Sequence, residues 1–148
     1  MLKKISTNQK AYLAGFLDGD GSVYVRLKPN DDYRYGFQIA PYIIFFQSKQ
    51  CRSKFAQIGK MLDCGYMRER KDGILEYTIN RKEAIKEVAN ELLPYSLLKK
   101  EQLKLIKQIL DKKEKVKNRK DFAKLMELID KFRELNYSKK RKKHKLTP

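Results

Sequence analysis

The chain has 148 residues, of which 41% are hydrophobic, enough for one domain with a buried core. Thirty-five lysines and arginines stand against 18 acids, a formal net charge of +17, and that excess points to a polyanionic partner. No apolar run reaches the length of a signal peptide or a membrane span, so no membrane partner is expected.

Ser6 or Thr7 caps a first helix that runs to about Asp18. Ala11, Gly15 and Gly19 recur four apart and share one helix face, small enough for another backbone to come close. Gly19 and Gly21 favour ending the helix there. Asp20 then sits at a helix C-terminus, where the dipole disfavours an anion by about 0.3–1 kcal/mol. A nearby cation makes such an acid easier to hold. A twin helix on the small face would bring two copies of Asp20 together, and their repulsion strengthens the case for bound metal. The spacing of an EF-hand calcium loop and its closing Glu are absent.

After Gly21 the period changes to two. Val23, Val25 and Leu27 point one way, and Ser22, Tyr24, Arg26 and Lys28 the other. Pro29-Asn30-Asp31-Asp32 is a turn. A second strand runs from Tyr33 to about Gln47, with Pro41 suggesting an edge position or a bulge. Lys49 to Leu62 reads as a helix with Cys51, Phe55, Ile58 and Leu62 on its buried stripe. Tyr66–Arg70 and Ile74–Ile79 form a hairpin around Lys71-Asp72-Gly73. Asn80, with Glu83 three residues later, opens a helix that ends at Pro94. Ser96 caps the next one, residues 111–120 are a solvated connection, and Phe122, Leu125, Ile129 and Phe132 mark a last helix. The basic run 138–148 follows a single domain, 1–137. Four antiparallel strands with helices on one face make an α+β fold. Cys51 and Cys64 are too far apart for a CxxC site and read as free thiols in a reducing intracellular compartment, a prokaryotic cytoplasm or an organelle matrix or stroma.

The uncovered sheet face carries Tyr24, Arg26, Lys28, Arg34, Gln38, Arg68 and Arg70, with Glu76 as its acid. Arg and Lys pair with guanine edges and Gln with adenine in a major groove that admits a two-stranded ribbon. Lys99 and Lys100 fall in the first turn of a helix, where a backbone phosphate would satisfy both them and the helix N-terminus. The C-terminal run also matches a nuclear localisation signal by composition.

The nonapeptide Leu13–Gly21 (LAGFLDGDG), preceded by Tyr12 and followed by an alternating strand, resembles the signature of the LAGLIDADG homing endonucleases. The similarity extends to the P-N turn, to the G-Y-x-R-x-R hairpin at Gly65–Arg70 and to most of the chain. It implies the family's fold, a four-stranded antiparallel saddle with helices on one face. One copy of the motif implies a homodimer with Ala11, Tyr12, Gly15, Phe16 and Gly19 at its interface. Asp20 and the Gly19 carbonyl would bind Mg²⁺, with Ca²⁺ expected to bind without supporting cleavage. Gln47 would position the attacking water, and Lys99 matches an active-site lysine. The family's basic residue about a turn after Gln47 has Cys51 at its direct equivalent, with Lys49, Arg52 or Lys54 as substitutes. Asn30 and Ile44 join the residues facing double-stranded DNA; Ile44 and Phe46 touch thymine methyls or mark a shifted register. Ser138, Lys139, Arg141 and Lys142 would lie on the DNA backbone. The activity implied is a metal-dependent double-strand break in a long pseudo-palindromic target, leaving short 3′ overhangs and promoting intron mobility. A non-cleaving DNA-binding regulator and an RNA maturase are the alternatives on the same fold.

Overall fold

Ser6 opens the first helix with a reciprocal cap: its hydroxyl accepts from the Gln9 amide at 3.1 Å, and Gln9 Oε1 accepts from the Ser6 amide at 2.9 Å. The computed structural model describes residues 4–136. Ser138, Lys139, Arg141 and Lys142 lie outside them.

Helix α1 (Thr7–Asp20) buries Leu13, Ala14 and Leu17. It continues past Asp18 to Asp20, because Gly19 stays helical and Gly21 turns straight into a strand with an extended φ of −126°. Gly21 serves close approach: a Cβ there would lie 2.4 Å from Leu17 Cδ1 and 2.7 Å from the Leu17 carbonyl oxygen.

Strands β1 (Gly21–Pro29), β2 (Phe37–Ser48), β3 (Tyr66–Glu69) and β4 (Ile74–Ile79) form an antiparallel sheet in the order β1-β2-β4-β3. Val23, Val25, Leu27, Ile39, Ile43, Phe45, Leu75, Tyr77 and Ile79 give the sheet its buried face. The second strand starts at Phe37 rather than Tyr33. Residues 30–36 are instead a closed turn, with the Asn30 amide donating to the Gly36 carbonyl and Gly36 at φ +80°. Pro41 lies inside β2, opposite Val25, but the ladder to β4 begins only at Ile43. The residue without an N–H therefore falls where one edge of β2 is unpaired, which is the edge position that proline requires.

A 3-10 turn (Lys49–Cys51) leads into α2 (Arg52–Leu62). Phe55, Ile58 and Leu62 are buried, but Cys51 is exposed because it precedes the α-helix and leaves its stripe. The chain leaves α2 through Asp63 at φ +48°, and the Tyr77 hydroxyl accepts from the Cys64 and Gly65 amides at 3.1 and 2.8 Å. Burial pushes the Cys64 thiol up to about 11. Helix α3 (Lys82–Leu92) starts after Arg81, which makes no side-chain cap, so Asn80 does not cap it. Then come α4 (Lys100–Lys113), α5 (Arg119–Asp130), capped by Asn118, and the short α6 (Phe132–Leu135). The solvated connection shrinks to residues 114–118, since the lysine-rich ends on both sides are helical. Helices α1 to α5 all pack against the sheet. Among the described residues no helix is long and apolar enough to cross a membrane.

Gly21→Ala is expected to cost about 1–3 kcal/mol through overpacking against Leu17. Gly19→Ala, which meets nothing within 4 Å, is expected to leave the stability of the single chain unchanged or slightly raised. Urea denaturation of the two variants checks the contrast.

Candidate active site and nucleic-acid interface

The site is assembled by Asp18. Its Oδ1 accepts from Ser96 Oγ at 2.5 Å and from the Lys99 amide at 3.0 Å, and its Oδ2 accepts from the amides of Leu97 and Leu98 at 2.7 and 3.0 Å. An aspartate on the last turn of α1 thus holds the approach to α4, at the helix end where an anion is favoured. Ser96 does not cap α4 by itself, as its spacing suggested; its hydroxyl donates to Asp18, and Lys99 is the cap residue. Burial acts to raise the Asp18 pKa. The hydrogen bonds from Ser96, Leu97, Leu98 and Lys99 outweigh it, and the carboxyl titrates below the ordinary aspartate value.

This clamp puts Lys99 beside the junction of α1 and β1. Gly21, Ser22, Lys99 and Glu101 line one side of an open cleft of about 550 Å³, and Asn136 closes another. Asn136 Nδ2 donates to the Val23 carbonyl at 3.1 Å, and Gln102 Nε2 donates to the Leu135 carbonyl at 3.1 Å. The last described residue is therefore pinned to β1 at the cleft, and the chain continues from there into its basic run.

Asp20 and Gly19 end α1, both exposed, immediately before Gly21 of the cleft wall. Two residues apart on a helix, Asp18 and Asp20 point about 200° away from each other. One can be bonded inward while the other faces out. Gln47 follows Phe45, the residue paired with Gly21, so β2 brings it to the level of the last turn of α1. Its Oε1 accepts from the Ser48 amide at 2.8 Å. Arg52 pairs with Glu69 through its guanidinium. Lys54 lines a groove between α1 and α2 with Tyr12 and Gln57, and the Lys49 amide bonds the Gly73 carbonyl. Among the described residues no three His, Cys, Asp or Glu side chains converge on a point.

The open face of the sheet carries the alternating set. Tyr24 stacks on Tyr42 with centroids 5.1 Å apart, and Lys28 Nζ lies 5.5 Å over the Tyr42 ring. Gln38 is the register partner of Lys28, and Arg26 is exposed. Glu76 is shared by Arg68 at 3.8 Å and Arg70 at 3.7 Å, and Arg70 also reaches Asp72 at 2.6 Å. Ile44 is the partner of Ser22 and Thr78, so the register puts it on this face, but it is only 6% exposed. Asn30 Oδ1 accepts from the Asp32 amide and shapes the turn, and Arg34 lies over the Tyr35 ring at 5.3 Å.

On α1, Ala11, Tyr12, Gly15 and Gly19 are exposed along one side. Nothing lies within 4 Å of a Cβ built on Gly15 or Gly19. Phe16 is half-buried and packs against Phe45 and Phe55 at 5.8 and 6.0 Å. Leu97 and Leu98, beside the clamp, are 83% and 72% exposed. Sequence reasoning singled out the small face and took Ser96 for a cap, but missed Asp18, whose partners lie 78 to 81 residues away in the chain. The available signal was the motif's first acid, Asp18, on the opposite side of the helix from Asp20.

Residues 13–110 match the model of the LAGLIDADG endonuclease family, and the chain belongs to that family. DNA endonuclease I-CvuI of Chlorella vulgaris is 37% identical over 134 residues, covering 88% of this chain and 81% of the relative. DNA endonuclease I-CreI of Chlamydomonas reinhardtii is 31% identical over 135 residues, covering 88% and 80%. A crystal structure of I-CvuI with the I-CreI target in 2 mM Mg, its DNA not cleaved, superposes with a TM-score of 0.85 at 32% identity over 91% of this chain and 86% of that one. A second I-CvuI structure, with its own target in 2 mM Ca, gives the same score over 92% and 87%. The homing endonuclease I-TnaI, 22% identical with a TM-score of 0.75 over 91% and 96%, shares the fold.

Removing the clamp tests its role in the fold. Asp18→Ala leaves the Ser96 hydroxyl and three amides to find other partners and is expected to cost about 1–3 kcal/mol, read by urea denaturation. In the parent the folded-state pKa of Asp18 lies below its unfolded value. Its contribution is thus present above about pH 4 and lost as pH falls through the lower folded pKa. Asp18→Ala is expected to flatten the acid limb of stability against pH.

Proposed function

We propose that the chain is a site-specific DNA endonuclease that acts as a homodimer with Mg²⁺. The observation that carries this reading is the placing of Asp20, exposed at the end of a helix whose outer side is small, with the Lys99 backbone tied to Asp18 on the same last turn. Family membership, the basic sheet face and the relatives crystallised on DNA support it.

Two subunits would pack α1 against α1 through Ala11, Gly15 and Gly19, joining two sheets into one saddle over a pseudo-palindromic duplex. Two-fold protein symmetry makes two-fold target symmetry a geometric expectation. β1 spans about 30 Å at about 3.3 Å per residue. At 3.4 Å per base pair each subunit would then read about nine base pairs outward from the cut. Tyr24, Arg26, Lys28, Gln38, Arg68 and Arg70 face the bases. The pairs that Glu76 makes with Arg68 and Arg70 are partly exposed and worth at most about 1 kcal/mol each, so DNA can take over those arginines.

The cation site is judged by its donors. One exposed carboxylate per chain, with the Gly19 carbonyl, suits Mg²⁺, which takes one or two carboxylates and completes its shell with waters and phosphate oxygens. When bound, the ion supplies Lewis acidity and an activated water. The protein's own share is separate. Asp20 presents a hard anionic oxygen at the foot of the seam, Gln47 orients water there, and Lys99 offsets charge on the phosphate as it becomes pentacoordinate. Calcium is expected to occupy the site without cutting.

Asp20→Asn is expected to bind duplex DNA as the parent does while its cleavage falls by at least about 10³-fold. Gel shift and plasmid cleavage with Mg²⁺ read the two arms, and undiminished cutting would remove the proposed role. Gly15→Leu is expected to weaken self-association, seen as a lower sedimenting mass than the parent dimer at equal concentration.

A further inference from the structure

The turn between β1 and β2 stands at the far end of the sheet from Asp20, on a ribbon of two strands whose inner face packs on the helical layer. From Phe37 to Tyr42, β2 pairs only with β1, since the ladder to β4 begins at Ile43. That part of the sheet is two strands wide, and two-stranded ribbons twist more freely than broader sheets. Within the turn the backbone is closed on itself: Asn30 N donates to the Gly36 carbonyl and Gly36 N to the Tyr33 carbonyl, both at 2.9 Å. These bonds fix the turn's own shape but not its angle to the rest of the molecule.

Beyond the strands' own buried residues, the turn is held from α5. The Tyr35 ring stacks on Phe122 with centroids 4.8 Å apart and an interplanar angle of 21°. Phe122 is 4% exposed, seated among the core residues. Arg34, the cation of the turn, lies over the same Tyr35 ring at 5.3 Å. The Tyr35 hydroxyl is buried and has no hydrogen-bond partner among the described residues, so the ring and not the hydroxyl is what this position uses. One ring therefore connects the helical layer to the cation of the turn.

We infer that Tyr35 and Phe122 are specificity-positioning residues: their stacked rings brace the β1–β2 ribbon against α5 and set where Asn30 and Arg34 meet the outer end of each DNA half-site. This rests on the DNA-reading role proposed above for the sheet. The brace touches no reacting atom. Its loss changes which outer bases are preferred and leaves the chemistry at Asp20, some nine base pairs inward, as it was.

The test uses the full chain and a pool of randomised duplex DNA, selected through bound protein in Ca²⁺ and sequenced. The parent and Tyr35→Phe are expected to select the same sequences. Phe122→Leu and Tyr35→Leu keep apolar bulk but lose the ring contact. They are expected to lose about tenfold of base discrimination at the outer positions. Discrimination near the centre, and the cleavage rate in Mg²⁺ on saturating amounts of the parent's selected duplex, are expected to stay within about twofold. Because Tyr35→Leu alters the turn rather than the core, it keeps the test open if Phe122→Leu folds poorly. Outer discrimination kept by both leucine variants, a loss spread evenly over all positions, or a loss in Tyr35→Phe alone would overturn the brace. A parent that selects no sequence at all would instead overturn the DNA-reading role, and the brace with it.

Discussion

The arrangement depends on one carboxylate. Asp18 collects a hydroxyl and three backbone amides from the approach to α4, and in doing so ties two helices that are distant in sequence to a single point. The amides ahead of a helix need acceptors, and here they find them on α1 rather than on a side chain of their own segment. Because the tie lies on the last turn of α1, whatever follows on that turn is placed relative to α4. Lys99 shares one cleft with Gly21, the residue after Asp20, and Asn136 anchors the far wall of that cleft on β1. The same turn therefore carries one acid bonded inward, Asp18, and one exposed, Asp20.

The sheet distributes charge by a similar economy. Its helix-covered face is apolar except at one end, where Gln47 and Glu69 flank Leu75, and the open face carries cations whose fields add. Glu76 sits among them as an internal partner of Arg68 and Arg70 and keeps both guanidinium groups oriented in the free protein. Tyr24 and Tyr42 stack beneath Lys28. Aromatic and basic groups thus alternate along a ribbon whose width and rise fit a major groove. The membership of the chain in the LAGLIDADG endonuclease family gives the activity, and this face independently suits a nucleic-acid partner.

Much of this was legible beforehand, and the boundary of what was legible has a physical cause. Alternation in β1 and the helical stripes of α2, α4 and α5 follow from local burial, so the four strands and the long helices could be read directly. Ile44 fell on the face its register dictates; what the sequence could not say was that its neighbours would cover it. The start of α4 was misread because its cap comes from Asp18, and the start of α3 because Asn80 lies one residue too early to serve it. Tyr33–Gly36 alternates like a strand yet folds as a turn, since Gly36 adopts a positive φ that closes it. The ion pair of Arg52 with Glu69 joins α2 to β3 and leaves no trace in either segment alone.

The central claim is that two copies of Asp20 meet at the foot of paired α1 helices and hold hard cations against DNA. The most direct measurement is a crystal structure of the protein on its target duplex with Ca²⁺. The account predicts α1 packed on its symmetry mate through Ala11, Gly15 and Gly19, with each Asp20 carboxylate on a calcium ion that also touches a scissile phosphate. A dimer joined through another surface, with the two Asp20 carboxylates far apart and no ion on either, would contradict it.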